Sequence, residues 1–345
     1  MTTNRQSIKN LHSKNNLPAE LEHSIVPVSI NPKTSDYIRK VVVDVANQLP
    51  GLPLSKQVSI ARNAMREIMA ESVVLDYAFS RLSKGQSDAV FVEGLPIFEG
   101  DLSANLCRTM SMIVGSPIGL PMQYEQQNGG DLIAAIKPDP DSVPDSQKTS
   151  AHFGSHTDDA YVPYEFRVLC IALLGEINES RAETGYSPID KIVKQLSKCE
   201  IAILEKPLFE FREPASLNGG KQSNTWSEPR PILFRLPSDA LGVQSPTYNT
   251  RITTVEASVY CEAEAAFGAF RIAVENAMRW FVVEPGTYLV FRNDRGLHSR
   301  KKIKENTPRC VHRMYWRNTL DAMRSASETN GYIFDLDALI FGDAA

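Results

Sequence analysis

No run of apolar residues approaches the ~20 needed to span a bilayer, and the opening residues (MTTNRQSIKNLHSKNN) lack the apolar stretch of an export signal. A cytoplasmic protein, away from membranes, is the expectation. CxxC pairs are missing too: the five cysteines, Cys107, Cys170, Cys199, Cys261 and Cys310, are odd in number and widely spaced. That argues against a disulfide framework or a thiolate zinc site and fits reduced thiols. Nor is there an excess of basic charge, since 37 Lys and Arg face 41 Asp and Glu, so nucleic acid is not an expected partner. GxGxxG, P-loop and GxSxG motifs are absent, which leaves the common nucleotide-binding and serine-hydrolase readings without support.

What remains is an ordinary globular composition, 42% hydrophobic and 23% charged over 345 residues, enough for a sizeable core. Residues 1–20 are polar and unpatterned and read as a flexible arm; residues 21–345 read as one domain. Segments 34–49 and 55–70 carry apolar residues at helical spacing, with Thr34 or Ser35 and then Ser55 as N-caps, and 73–82 continues a helical part over about 30–85. Residues 89–93 read as the first strand, 101–114 as a helix and 131–137 as extended. Residues 138–150, rich in Pro, Asp and Ser, read as a loop over a site. Short strand-like runs follow at 166–174, 200–204, 208–212, 232–236, 248–254, 287–292 and 309–317, with helical spacing at 188–196 and 263–281. Helices first and then many short strands predict a mainly β, α+β fold. Its core, at about 86–320, is of jelly-roll type with helices packed on one sheet.

Two of the six histidines stand out, His156 in SHTDDAY and His298 in RNDRGLHSR. In an extended segment residues i and i+2 face the same way, so His156 and Asp158 present an imidazole and a carboxylate to one point. A third ligand must come from elsewhere, and His298, 142 residues on and just after a strand-like run, is the candidate. Two histidines and one carboxylate on one face of an iron leave positions for a bidentate co-substrate and O₂, the ligand set of non-haem Fe(II) oxygenases. Singly, each residue has a plainer reading: His156 as a loop histidine bonded to a neighbouring carboxylate, His298 as a surface residue in a basic stretch. His152 has the four-residue spacing of zinc helices, but Gly154 and Ser155 disfavour a helix there. Asp159 has the right chemistry but points away from His156 in an extended segment.

In residues 309–317 (RCVHRMYWR), alternation puts Arg309, Val311, Arg313, Tyr315 and Arg317 on one face and Cys310, His312, Met314 and Trp316 on the other. An edge strand with its arginines in water is one reading. If both faces are buried, the guanidinium groups need anions, because an unpaired buried charge costs several kcal/mol. Carboxylates of a co-substrate and a substrate would supply them.

From HTDDAY through LHSR to PRCVHRMYWR, about residues 85–320, the chain resembles the clavaminate synthase-like branch of the Fe(II)/2-oxoglutarate oxygenases. That branch contains asparagine oxygenase and the arginine and lysine hydroxylases of peptide-antibiotic pathways. The resemblance implies a double-stranded β-helix (jelly-roll, cupin-like) core and Fe(II) bound by His156, Asp158 and His298, with 2-oxoglutarate and O₂ as co-substrates. It further implies that Arg309 holds the distal carboxylate of 2-oxoglutarate and Arg313 the α-carboxylate of an amino-acid substrate. The stretch QQNGGDL at 126–132 resembles the family's QQ-x-G-x-L, which points to Gln127, with Gln126 next, for the substrate amino group and places Asp158 beside it. A polar loop before a strand is the plainer reading of that stretch. In the arginine hydroxylases a lid near 251–256 carries acidic residues. Here Thr253 and Val255, or Thr254 and Glu256, point inward depending on register, so a neutral substrate side chain fits as well as a cationic one.

Two departures from the branch stand out: the linker from His298 to Arg309 is short, and the carboxylate ligand is Asp where Glu is frequent. A carboxylate at this position at all argues against halogenation, which needs a vacant coordination site. The implied activity is hydroxylation of an sp³ carbon of a free L-amino acid or close derivative, in antibiotic or other specialised biosynthesis. Desaturation or cyclisation, a carrier-bound or peptide substrate, and a non-redox cupin-like metal protein or zinc hydrolase are the alternatives. Oligomeric state stays open.

Overall fold

The computed structural model describes residues 24–143, 146–254 and 256–341; the arm expected at 1–20 lies outside them. Asn31 opens the helical part. Its side chain accepts from the Thr34 N–H at 2.9 Å and Pro32 occupies the first turn, so α1 (Pro32–Gln48) starts ahead of the caps expected at Thr34 or Ser35. Ser55 likewise lies inside α2 (Leu54–Glu71), which follows Pro53 with no side-chain cap. With α3 (Val73–Ser83), these helices each bury one stripe, such as Ile38, Val42 and Val45 on α1 and Val58, Ala61, Met65 and Ile68 on α2. A strand absent from the sequence reading, β1 (Ile25–Ser29), pairs in parallel with β2 (Ala89–Glu93) across this helical part.

The chain then runs through α4 (Ser103–Gly115), β3 (Leu120–Tyr124), β4 (Ile133–Ile136), β5 (Phe153–His156), β6 (Cys170–Asn178) and β7 (Glu183–Pro188). Two short helices, α5 (Ile189–Val193) and α6 (Lys198–Leu204), come next. The second corrects the strand expected at 200–204. The Ser197 hydroxyl accepts from the Glu200 N–H at 3.2 Å while the Glu200 carboxylate accepts from the Ser197 N–H at 2.6 Å, a capping box that commits the Ile and Leu residues to a helix. Two small hairpin-like pairs follow, β8 (Phe209–Phe211) with β11 (Thr250–Ile252) and β9 (Leu233–Arg235) with β10 (Leu241–Val243). The helix expected at 263–281 is α7 (Ala257–Ala277), after which the backbone extends into β12 (Arg279–Val282). β13 (Tyr288–Arg292), β14 (Gly296–Arg300), β15 (Arg309–Arg317) and β16 (Ile333–Phe334) complete the strands.

These strands make a mixed α+β architecture built on two principal sheets. The larger has the order β1–β2–β13–β6–β15–β3–β16, with β4 also paired to β15; the smaller has the order β12–β7–β14–β5. β15 is therefore an interior strand, and all nine of its residues are buried, which settles its reading against an edge strand in water. One face of the large sheet packs under α1–α4, where Leu174, Val290, Met314 and Trp316 meet Ile38, Ile68 and Ile113. Gly115 permits the contact: a Cβ there would lie 2.3 Å from the Trp316 ring. The opposite face, with Ile171, Leu289, Phe291, Val311 and Tyr315, turns toward the small sheet, and Tyr186 of β7 packs against Phe291 at 5.1 Å. The turn from β13 to β14 carries the chain from one sheet to the other, so a space between the sheets is lined from both sides.

Candidate metal centre

His156 and His298 are directly opposite each other on the paired strands β5 and β14, and their rings lie 4.0 Å apart. Asp158 is past the end of β5, in a turn. Its Oδ1 is 3.2 Å from His156 Nε2 and 3.4 Å from His298 Nε2, and the three ligating atoms all lie within 4.8 Å of one another. The turn is fixed from behind by a residue the sequence reading did not single out. Asn293 accepts from the Asp158 N–H at 2.8 Å and donates to the carbonyls of Asp158 and Val168 at 2.9 and 3.0 Å. The His156 Nδ1–H donates to the Gly154 carbonyl at 2.8 Å, which leaves the Nε2 lone pair facing Asp158, as metal-binding imidazoles require.

Electrostatics prepare two of these groups, His298 and Asp158. Burial and the neighbouring His156 push His298 down to about 4, against the pull of Asp158, so its imidazole is neutral at neutral pH. Burial opposes ionisation of Asp158, but the adjoining His298 and His156 and the charge of Arg313 outweigh it and hold the carboxyl well below its usual range. Neutral imidazoles and an ionised carboxylate are the states that ligate a metal. Asp158 Oδ2 accepts from the Tyr315 hydroxyl at 2.5 Å, a second contact beyond the reach of pattern reading.

A cavity extends from these groups between the two sheets. The small sheet contributes His156, Thr184, His298 and Arg300, and the large sheet Ile171, Leu173, Arg309, Val311 and Arg313. Among the described residues, three guanidinium groups line it against the one carboxylate of Asp158, a balance complementary to a dicarboxylate. Arg309 is the decisive one. It is 5% exposed, its Nε is buried with no partner among the described residues, and burial and the nearby Arg300 lower it to about 10, so it stays charged at neutral pH. The Thr184 hydroxyl, also on the wall, is buried without a partner. Arg300, by contrast, donates to the carbonyls of Thr149 and Lys301.

Arg313 sits nearer the metal-ligating group. It donates to Asp158 Oδ2 at 3.4 Å, to Gln127 Oε1 at 3.0 Å and to Gln147 Oε1 at 2.5 Å. Gln147 belongs to the loop expected over the site and lines this cavity and an adjoining one. Gln127 is 1% exposed and donates to Asp159 Oδ1 at 3.1 Å. Asp159 has a left-handed backbone, φ 56°, which turns its carboxyl away from the metal-ligating group. Burial and the charge of Asp158 raise it to about 7.

The other candidates lie elsewhere. The Gln126 amide donates to Asp335 at 2.7 Å and its oxygen accepts from the Leu336 N–H, so it is committed to the C-terminal segment. Thr253 hydrogen-bonds the Leu208 carbonyl through its backbone N–H at 3.0 Å and lines neither cavity. Val255 lies outside the described residues. His152 is exposed in a loop.

No protein-family model matches the chain, and no curated protein matches it in sequence. Solved structures match it in fold. Asparagine oxygenase, in complex with Fe(II), 2S,3S-3-hydroxyasparagine and succinate, superposes with a TM-score of 0.77 at 19% identity, over 90% of this chain and 99% of that one. The non-heme iron oxygenase OrfP, in complex with Fe, succinate and (3S)-hydroxy-L-Arg, gives 0.77 at 16% identity over 89% and 99%. OrfP with Fe and alpha-ketoglutaric acid gives 0.75 at 18% identity over 90% and 100%. At these identities the likeness shows a shared fold.

Proposed function

We propose that this chain is a single-domain Fe(II)/2-oxoglutarate-dependent oxygenase of jelly-roll fold that hydroxylates an sp³ carbon of a free L-amino acid or close derivative. The observation that carries the reading is the buried Arg309, whose Nε has no partner among the described residues, in the same cavity as His156, Asp158 and His298. A buried cation without a partner costs several kcal/mol, and a dicarboxylate lying between it and a metal removes that cost. The fold shared with oxygenases crystallised with iron, succinate and hydroxylated amino acids supports the same reading.

In this proposal His156, Asp158 and His298 hold Fe(II), which when bound supplies O₂ activation coupled to decarboxylation of 2-oxoglutarate to succinate and CO₂. Arg309, with the Thr184 hydroxyl beside the same cavity, binds the distal carboxylate and fixes the co-substrate's orientation. Arg313 takes the substrate α-carboxylate in exchange for its contact to Gln147. The Gln127 side chain, held between Arg313 and Asp159, meets the amino group. Tyr315 and Asn293 fix the carboxylate and backbone of Asp158, and Ile171, Leu173 and Val311 keep the cavity wall apolar and water out.

The test is succinate release from 2-oxoglutarate by Fe(II)-reconstituted protein screened against the twenty amino acids. One or a few should stimulate release and gain 16 mass units, and His298→Ala should lower the rate by roughly 100-fold or more. Equal rates in wild type and variant would sink the proposal, and loss of 2 mass units would redirect it to desaturation.

A further inference from the structure

The helix-side face of β15 carries a second group of metal-ligating side chains. Cys310 Sγ, His312 Nε2 and a Glu176 carboxylate oxygen lie within 4.8 Å of one another, with His312 Nε2 2.9 Å from Glu176 Oε2. An irregularity in the sheet assembles them. Cys310 pairs with Ile177 and Val311 with Gly175, so Glu176 is the extra residue of a bulge in β6, and bulges re-aim side chains. Cys310 and His312, two apart on one strand, share a face. The Ser103 hydroxyl at the start of α4 donates to the other carboxylate oxygen, Glu176 Oε1, at 3.3 Å, leaving Oε2 turned to His312. Cys107, one helical turn beyond Ser103, is buried in the layer between α4 and the sheet.

This group is separate from the cavity, because side chains alternate along β15 and Arg309 and Arg313 occupy the opposite face. As packing alone it is costly: an imidazole 1% exposed and a carboxylate 10% exposed lose several kcal/mol of solvation that their mutual contact only partly returns. Met314 and Trp316, next along the same face, fill the layer with apolar groups instead. The Glu176 side chain is 10% exposed, which gives an ion a way in.

We propose that Cys310, His312 and Glu176 form a second metal site for a thiophilic divalent cation of the zinc type. Sulfur, imidazole and carboxylate donors suit zinc, whereas the sulfur-free set of His156, Asp158 and His298 suits iron. On binding, the Cys310 thiol gives its proton to solvent and its sulfur bonds the metal. The cation then ties β6 to β15, the strand that presents Arg309 and Arg313 to the cavity.

The test uses the full chain, stripped of metal and titrated with Co²⁺ alone as a spectroscopic stand-in for zinc. A near-ultraviolet thiolate-to-cobalt band should appear in wild type and in His298→Ala, disappear when Zn²⁺ is added, and be missing in Cys310→Ser. Glu176→Gln, which keeps the thiol and the side-chain shape, should retain the band and weaken cobalt binding about tenfold or more. Cobalt uptake by wild type without a thiolate band overturns the proposal, as does a band unchanged in Cys310→Ser. Should Cys310→Ser not fold by circular dichroism, Glu176→Gln decides alone, and an unaltered cobalt affinity overturns the site.

Discussion

On one face of β15 the buried guanidinium of Arg309 has an Nε with no partner among the described residues, while on the other the imidazole of His312 is held by Glu176 at 2.9 Å. Burial does not separate the two faces, since every residue from Arg309 to Arg317 is buried. The difference is in who supplies the partners. Under the helices, Met314 and Trp316 are packed by the chain itself and Glu176 answers His312. Toward the small sheet Arg309 shares a cavity with Arg300 and Arg313, its Nε has no partner among the described residues, and in the proposed function a co-substrate carboxylate supplies one. A buried charge left open beside a candidate metal centre is a stronger pointer to a ligand than any single motif, because folding alone gives no reason to keep it.

Substitutions on the two faces should therefore fail in different ways. Trp316→Ala, on the packed face, should cost about 3–5 kcal/mol of folding stability in chemical denaturation, with or without ligand; a loss below ~1 kcal/mol would mean that the layer under α4 is loosely packed. Arg309→Met should invert the pattern. Without 2-oxoglutarate the variant should be at least as stable as wild type, because an unpaired buried cation is gone, while its KM for 2-oxoglutarate should rise on the order of 100-fold, as loss of a bidentate charge-assisted contact implies. A thermal scan with and without 2-oxoglutarate reads both halves, since the ligand should raise the Tm of wild type and leave the variant unmoved. The smallest effect is expected from Tyr315→Phe. It removes the 2.5 Å hydrogen bond to Asp158 and should weaken Fe(II) binding by about tenfold with stability unchanged, measured by Fe(II) titration of activity.

The cavity face of β15 was legible in the sequence because alternation fixes which residues share a side, and the bounds expected for that strand, 309–317, are those observed. The convergence of His156, Asp158 and His298 was legible because the ligand set expected of a metal restricts residue type and spacing so tightly. Helix α6 was misread because Ile201, Ile203 and Leu204 suit a strand by propensity. The decisive signal was the Ser197–Glu200 cap, which outweighs three side chains. Gln126 and Gln127 cannot be told apart by pattern. The backbone turn after Tyr124 sends one toward Asp335 and the other toward Arg313, and only the tertiary fold sets that direction. Asn293 and Tyr315 escaped for the same reason: each acts on Asp158 from more than a hundred residues away in the chain.

The most direct measurement is the visible spectrum of the anaerobic protein with Fe(II) and 2-oxoglutarate. Chelation of iron by the keto acid at His156, Asp158 and His298 should give a charge-transfer band that His298→Ala lacks and that Arg309→Met forms only at far higher 2-oxoglutarate. A spectrum without that band, or one identical in wild type and His298→Ala, would contradict the assignment of this cavity to iron and 2-oxoglutarate.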